Sequence, residues 1–249
     1  MKERIVIIPT YNEIENIEAI IRAVFSLELP FHVLIIDDGS PDGTALKVKE
    51  LQKEFINSLH IEERKGKLGL GTAYIHGFKW ALKNEYQFIF EMDADFSHNP
   101  KDLIRLYTSC ATENEEGIRN DVAIGSRYVQ GVNVVNWPMS RVLMSYFASI
   151  YVRIVTGMPI HDATAGFKCY RREVLETINL DTIKFVGYAF QIEMKFTAWK
   201  YSFRVGEVPI IFTDRTKGTS KMSSGIFKEA FFGVLQMKIN SFFKKYVRK

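Results

Sequence analysis

Short apolar runs of strand length alternate with helical patterns through the first half of the chain. The strand-like runs are RIVIIP (4–9), HVLIID (32–37), LHIEE (59–63), FIFEMD (88–93) and DVAIGSRY (121–128). Between them, apolar residues recur at the three- and four-residue spacing of an amphipathic helix, as in residues 17–24. Strands that are separated by single helices predict an α/β fold, with a mostly parallel, doubly wound sheet and helices on both faces.

Polar residues follow these runs where each predicted strand ends. The clusters are residues 9–13, 37–40, 93–95 and 126–127. In open parallel sheets, ligands bind beyond the carboxyl ends of the strands. Ordinary turn chemistry would account for one or two such clusters. Four of them predict a ligand site along one edge of the sheet.

The most specific of these clusters contains Asp93 and Asp95. Residues at i and i+2 of an extended chain project to the same side, so both carboxylates are expected to face one point. Carboxylate oxygens are hard ligands that suit Mg²⁺ or Mn²⁺. The sequence has no competing cluster of histidines and cysteines. We therefore expect Asp93 and Asp95 to hold Mg²⁺ or Mn²⁺.

Two other nucleotide-binding patterns are missing from the sequence. A dinucleotide fold would place a G-x-G-x-x-G loop after the first strand, where PTYNEIEN has no glycine. The phosphate-loop pattern G-x-x-x-x-G-K-[ST] does not occur either. These observations argue against a dehydrogenase and against a phosphate-loop ATPase.

Size and composition predict one catalytic domain with an appended helix. The 249 residues are 47% hydrophobic and 25% charged, which is typical of a globular protein. No stretch approaches the ~20 uninterrupted apolar residues that span a bilayer. We expect a catalytic domain over residues 1–224 and an amphipathic, membrane-associating helix over residues 225–249. The two cysteines match no metal or disulfide spacing, which favours reduced thiols in a cytoplasmic protein.

Positive charge is concentrated at the C-terminus. Residues 225–249 contain six basic residues and one acidic residue, while the net charge of the whole chain is only +4. A nearly neutral body argues against a nucleic-acid-binding protein, and the basic end predicts a local anionic partner. We expect the tail to lie on the inner face of the membrane as a peripheral helix. The alternative is a terminal helix whose first half packs on the core.

Seven motifs follow one another from about Ile5 to Lys221: IPTYNE, IIDDGSPDGT, KLGLGTAYIHGF, MDADFSHNP, IGSRY, DATAGFKCYRR and DRTKGTSK. In this order they resemble the family 2 glycosyltransferases of the GT-A fold, and among them the dolichyl- and polyprenyl-phosphate mannose synthases. The resemblance implies an inverting transfer of mannose from GDP-mannose to dolichyl or polyprenyl phosphate, giving a β-linked product. Some members have C-terminal spanning helices, and this chain departs from them in having only the tail.

The resemblance also implies residue roles. The positions that match catalytic residues are Asp95, Arg127, Arg215 and Lys221. Donor-binding positions are Pro9, Tyr11, Glu13, Ile36, Asp38, Asp93, Ala94, Asp95, Ser97, Arg127, Arg215 and Lys221. The acceptor phosphate is expected at Ser126, Arg127 and Arg141.

A phosphate acceptor simplifies the chemistry. A phosphate monoester is largely dianionic at neutral pH and is already nucleophilic, so no dedicated general base is needed. The sequence shows no obvious pair of nucleophile and base, which agrees with such an acceptor. The alternatives are a transferase that uses UDP-glucose or another donor, one that acts on a saccharide or protein acceptor, and a non-catalytic membrane-bound module with the same fold.

Two residues have two interpretations each. Arg141 either contacts the acceptor phosphate or is a charge that faces the membrane. Asp162 either orients the acceptor region or caps a turn.

Overall fold

The computed structural model describes residues 3–215 and 225–248 of the chain. Its strands are β1 (Arg4–Thr10), β2 (His32–Asp37), β3 (Leu59–Glu63), β4 (Phe88–Glu91), β5 (Val122–Ser126), β6 (Val134–Val135), β7 (Lys168–Arg171), β8 (Val205–Pro209) and β9 (Phe212–Thr213). Its helices are α1 (Ile17–Phe25), α2 (Thr44–Leu51), α3 (Leu70–Lys83), α4 (Asp102–Ala111), α5 (Met139–Thr156), α6 (Arg172–Thr177), α7 (Tyr188–Lys200) and α8 (Gly225–Phe243).

Within this part of the chain, seven strands form one sheet in the order β3-β2-β1-β4-β7-β5-β8. Every neighbouring pair is parallel except the two that involve β7. The short strands β6 and β9 pair separately. The predicted mostly parallel α/β sheet is therefore confirmed.

Strand β1 shows why the sheet is covered on both faces. Side chains alternate between the two faces of a strand, and both sets are apolar here. Ile5 and Ile7 belong to the core that α3 and α7 cover, whereas Val6 and Ile8 belong to the core that α1, α2 and α4 cover. All four side chains are fully buried. Burial on both faces explains why the strand reads as a continuous apolar run.

Strand β7 was not predicted from the sequence, and it runs antiparallel between β4 and β5. Its sequence, KCYR, is short and carries charge. Lys168 is fully buried because its Nζ lies 2.9 Å from Oε2 of Glu91 on the neighbouring strand. This cross-strand ion pair, with a further hydrogen bond from Nζ of Lys168 to Oε1 of Gln191, compensates the buried charge in a central strand.

Helix α8 packs against α5 and α7. Val234 and Met237 are buried in the core. Apolar side chains also lie on its exposed side, at Phe232, Phe242 and Phe243. Among the described helices, none is both long enough and apolar enough to cross a bilayer. The boundary predicted at residue 224 falls outside the described residues.

Candidate active site

A cavity of about 480 Å³ opens beside the carboxyl ends of β4 and β5. One part of its wall is polar, with Asp93, Asp95, Arg127, Arg141 and Arg215. The other part is apolar and comes from α5, α7 and α8, with Met144, Phe147, Val152, Ile192, Phe231 and Val234. We refer to the five charged residues as the charged pole and to the apolar residues of α5, α7 and α8 as the apolar channel; the two parts are continuous within one cavity.

The loop after β4 carries the paired carboxylates. The chain bends over residues 94–98 instead of continuing as a strand, and Phe96 has a positive φ of 59°. In this bend the backbone N–H of Ser97 donates to Oδ1 of Asp95 at 3.0 Å. Asp93 and Asp95 nevertheless line the same cavity, although the chain that joins them is not extended as the sequence-based expectation assumed.

The electrostatics of the two carboxylates fit a divalent cation. Burial, together with the negative charge of Asp95, raises the pKa of Asp93 to about 7. A bound cation would relieve this repulsion. Within the described residues, no third carboxylate, histidine or cysteine completes a larger metal-ligating group. Two protein oxygens with open positions match the way Mg²⁺ binds together with substrate phosphates.

Arg215 lies directly beside this pair, with its Nη2 3.2 Å from Oδ2 of Asp95. Its backbone N–H donates to Oδ1 of Asp214 at 3.2 Å. The guanidinium is therefore held at the charged pole, where it can reach a diphosphate. Lys221, which was predicted to act with it, lies outside the described residues.

Arg127 follows β5 and is almost fully buried. Its Nε and Nη2 donate to the two carboxylate oxygens of Asp162 at 2.7 and 2.6 Å. Nη2 also donates to Oγ1 of Thr164 at 2.8 Å. Burial alone would raise the pKa of Asp162, but the charge and the hydrogen bonds of Arg127, together with the charge of Lys195, outweigh it and keep that pKa below its usual range. Of the two interpretations of Asp162, the structure therefore favours orientation of the site.

Ser126 and Arg141 were predicted to meet the acceptor phosphate. The Oγ of Ser126 is buried and accepts the backbone N–H groups of Tyr128 and Val129, at 3.3 and 3.1 Å. Arg141 lines the cavity, its Nη1 lying 3.1 Å from Oδ1 of Asp214. Its guanidinium also lies 4.0 Å from the ring centre of Trp137. The structure thus brings Arg141 to the cavity, whereas the hydroxyl of Ser126 is engaged in a turn.

The residues predicted to hold the nucleoside lie at the ends of β1 and β2, where Pro9 pairs with Ile36. Asp38 is buried, and its Oδ1 accepts from Nε of Arg64 at 2.6 Å. Lys67 Nζ lies 5.3 Å from the ring centre of Tyr11. These groups share the sheet edge with Asp93 but do not line the cavity.

The remaining donor-side residues lie in the same two regions. Glu13 is partly buried, and its Oε2 accepts from Nδ2 of Asn16 at 3.1 Å. Ala94 is buried between the two aspartates. The pairing of Arg64 with Asp38 was not predicted, because a lone basic residue after a strand gives no distinctive signal in the sequence.

His98 is the buried histidine of the site. Its ring stacks on Phe167 with centroids 4.9 Å apart and meets Phe212 edge-on at 5.4 Å. Burial in this aromatic surrounding lowers the pKa of His98 to about 4, so the ring is neutral at physiological pH. It therefore adds no positive charge to the pole.

Comparisons with known proteins agree with this geometry. A family model described as glycosyl transferase family 2 matches residues 5–178. Polyprenol monophosphomannose synthase of Mycolicibacterium smegmatis is 46% identical over 235 residues, which cover 94% of this chain and 86% of the relative. Undecaprenyl-phosphate mannosyltransferase of Micrococcus luteus is 43% identical over 228 residues, covering 92% and 90%.

Solved structures show the same fold at low sequence identity. Glucosyl-3-phosphoglycerate synthase from Mycobacterium tuberculosis, in complex with Mn²⁺, UDP and glucosyl-3-phosphoglycerate, has a TM-score of 0.65 at 14% identity. The match covers 96% of this chain and 80% of that one. A mannosyltransferase from Pyrobaculum calidifontis, in complex with GDP-Man and Mn²⁺, has a TM-score of 0.55 at 15% identity and is matched over 97% and 74%. With its parallel sheet, its paired aspartates and these relatives, the chain belongs to glycosyl transferase family 2 and has the GT-A fold.

Proposed function

We propose that the protein transfers mannose from GDP-mannose to a dolichyl or polyprenyl phosphate. The observation that carries this proposal is the cavity itself, in which the charged pole continues into an apolar channel. A lipid phosphate has the same two parts, an anionic head and a hydrocarbon chain. The names of the two relatives, a polyprenol monophosphomannose synthase and an undecaprenyl-phosphate mannosyltransferase, support the same acceptor class.

The apolar channel favours a lipid over a saccharide. Phe147 and Phe231 line the cavity and are also exposed at the surface, at 61% and 48%. The channel therefore opens through the outer sides of α5 and α8. A saccharide acceptor would need polar groups along this wall, since its hydroxyls lose hydrogen bonds to water when they are buried.

The charged pole supplies what two anionic substrates require. Arg141 and Arg215 can offset repulsion between the acceptor phosphate and the donor diphosphate, and the guanidinium fork suits paired phosphate oxygens. Arg127 forms the buried part of the same wall. Asp93 and Asp95 would hold Mg²⁺ or Mn²⁺, which would supply positive charge for the departing diphosphate.

The acceptor phosphate acts as its own nucleophile. One of its oxygens forms a bond to the anomeric carbon of mannose, and the bond from that carbon to the β-phosphate oxygen of the donor breaks, releasing GDP. Direct displacement inverts the configuration, so an α-linked donor gives a β-linked lipid phosphate. The neutral, buried His98 is not required as a base in this scheme.

The assignment of guanine as the donor base and of mannose as the donor sugar is supported by the relatives. Both sequence relatives are named for mannose, and one fold neighbour was solved with GDP-Man. UDP-glucose or another nucleotide sugar is the alternative donor. Pro9, Tyr11, Glu13, Ile36 and Asp38 lie where the nucleoside would bind.

The exposed apolar side chains support a peripheral position on the inner face of the membrane. Phe232, Phe242 and Phe243 are 66%, 72% and 86% exposed on α8, and Ile154 is 76% exposed on α5. Lys244 and Lys245 are exposed beside them. Apolar groups with adjacent cations suit the headgroup region of an anionic leaflet, where each cation contributes about 1 kcal/mol.

The test is a transfer assay with labelled GDP-mannose, UDP-glucose and other nucleotide sugars, with Mg²⁺ or Mn²⁺. The acceptors are polyprenyl phosphate and, as the matched control, unphosphorylated polyprenol. We expect a labelled lipid only with GDP-mannose and the phosphate. Equal transfer to polyprenol would contradict the mechanism without a base, and labelling of a soluble sugar alone would contradict the acceptor class.

A further inference from the structure

We propose that Lys195 is a positioning residue that holds Arg127 in place through the turn at residues 162–165. This inference rests on the proposed function and adds a residue that the site motifs do not include. Lys195 lies on α7 and is fully buried. Its ammonium Nζ donates to the backbone carbonyl of Ala165 at 2.7 Å and contacts that of Asp162 at 3.4 Å.

The complete burial of the Lys195 side chain is energetically unfavourable. Burying an ammonium group is costly unless it is paired with an opposite charge. Among the described residues Lys195 forms no ion pair, and its hydrogen-bond partners there are the two carbonyls. Burial lowers the pKa of Lys195 well below its usual value. An apolar side chain of similar length would fill the same space at less cost, so the ammonium is expected to have a use.

The turn that Lys195 holds supplies the groups that orient Arg127. Both carboxylate oxygens of Asp162 and the hydroxyl of Thr164 accept from the guanidinium. The backbone N–H of Arg127 also donates to Oδ2 of Asp162 at 2.9 Å. Any shift of this turn is therefore passed on to Arg127.

Glu207 holds the same turn through its backbone N–H groups. Oε1 of Glu207 accepts the backbone N–H of Asp162 at 2.8 Å, and Oε2 accepts that of His161 at 2.8 Å. Glu207 thus binds the N–H groups and Lys195 binds the carbonyls. Glu207 and Lys195 together fix both the N–H groups and the carbonyls of the turn. Such supporting contacts around a site keep its residues in the productive geometry.

The functional consequence follows from the position of the turn. Thr164, Ala165 and Gly166 line the cavity next to Arg127. Without the ammonium, two carbonyls lose a donor and the turn is free to move. A displacement of about 1 Å in a phosphate-holding group can reduce a rate by about 100-fold.

The test compares Lys195→Met with Lys200→Met, a matched change near the end of the same helix, where the ammonium lies 5.3 Å from the ring centre of Tyr246. Kinetics with polyprenyl phosphate and GDP-mannose are measured together with GDP binding by calorimetry. We expect kcat/KM for the lipid phosphate to fall about 10- to 100-fold in Lys195→Met. GDP affinity should stay within about threefold, and Lys200→Met should match the wild type.

A double variant separates positioning from general structural damage. If Lys195 acts through Arg127, Lys195→Met should add little to the loss already caused by Arg127→Lys, because the two act on one unit. Additive losses, an equal loss of GDP binding, or full activity of Lys195→Met would each overturn the proposal. If Lys195→Met does not fold, Lys195→Leu takes its place in the same measurements, and full activity of that variant overturns the proposal as well.

The assay also distinguishes this inference from the function on which it rests. A wild-type protein that fails to mannosylate polyprenyl phosphate defeats both. An active wild type with an equally active Lys195→Met defeats the inference alone.

Discussion

The guanidinium Nη2 of Arg215 lies 3.2 Å from Oδ2 of Asp95, so a cationic side chain contacts one of the two carboxylates proposed to hold the metal. The same carboxylate cannot give its full charge to both partners. In the proposed mechanism, Arg215 would exchange this carboxylate partner for a phosphate partner when metal and donor diphosphate bind.

Replacing Arg215 by methionine should have opposite effects on metal binding and on turnover. Without donor, Mn²⁺ should bind about two- to fivefold more tightly, because Asp95 loses a partly exposed competing cation. Transfer should fall by about 100-fold, since the diphosphate loses its guanidinium. Electron paramagnetic resonance measures the first quantity and the transfer assay the second. Weaker Mn²⁺ binding in the variant would contradict the competition.

Asp95→Asn should reduce metal-dependent transfer by at least about 100-fold while the protein remains folded. The amide is a poorer ligand for a divalent cation than the carboxylate, and one negative charge is lost from the pole. Asp181→Asn is the matched control, because Asp181 is 77% exposed and lies outside the cavity. Circular dichroism and the transfer assay check both variants. Undiminished turnover of Asp95→Asn would remove the proposed metal site.

The buried His98 predicts a loss of stability in acid. Its pKa is about 4 in the folded protein, below the ordinary histidine value of 6.5, so the unfolded chain takes up the proton first as the pH falls. The contribution of His98 to the free energy of unfolding is unaffected above pH 6.5 and decreases between pH 6.5 and 4. The full effect is roughly 3 kcal/mol.

His98→Phe tests this effect, since phenylalanine suits the aromatic surrounding and does not titrate. The free energy of unfolding is measured with urea at about pH 7.5 and about pH 4.5. Its decrease between the two pH values should be about 2–3 kcal/mol smaller in the variant than in the wild type. His76→Phe serves as the control, because His76 is exposed. Identical pH dependence in the wild type and His98→Phe would show that His98 is not the group responsible.

The exposed end of α8 should bind membranes. Replacing Phe242 and Phe243 together by serine removes two large apolar groups from the surface and should weaken binding to anionic vesicles by about 10-fold or more. The control is Ile56→Ser, which removes an apolar group that is 69% exposed on another part of the molecule. Vesicle co-sedimentation with anionic and with zwitterionic lipids provides the measurement. Unchanged binding of the double variant would show that the membrane contact does not lie at this end of α8.

Several elements could be predicted because their signals are local. Strands β2 and β3 have the predicted bounds, and β1, β4 and β5 lie within or next to the predicted runs. A parallel sheet brings the carboxyl ends of its strands to one edge, so Asp93, Asp95 and Arg127 could be placed together from the order of the elements alone. Motifs in register were sufficient to indicate the family.

Other features depended on contacts between distant parts of the chain. Strand β7 is central although it contains Lys168, because Glu91 neutralises that charge from β4. Asp162 and Arg127 are 35 positions apart, so only the folded chain shows that they pair. The apolar channel combines α5, α7 and α8, none of which reveals by itself which side chains face the cavity.

The alternation of strands and helices, the carboxylate pair and the sheet edge proposed to bind ligands could all be inferred from the amino-acid sequence, because each follows from local periodicity and from residue type. The folded chain was needed to show that Arg127 forms an ion pair with Asp162, that Arg215 contacts Asp95 and that the charged pole continues into an apolar channel. Those features are distances between residues far apart in the chain, and the packing of side chains in three dimensions sets them.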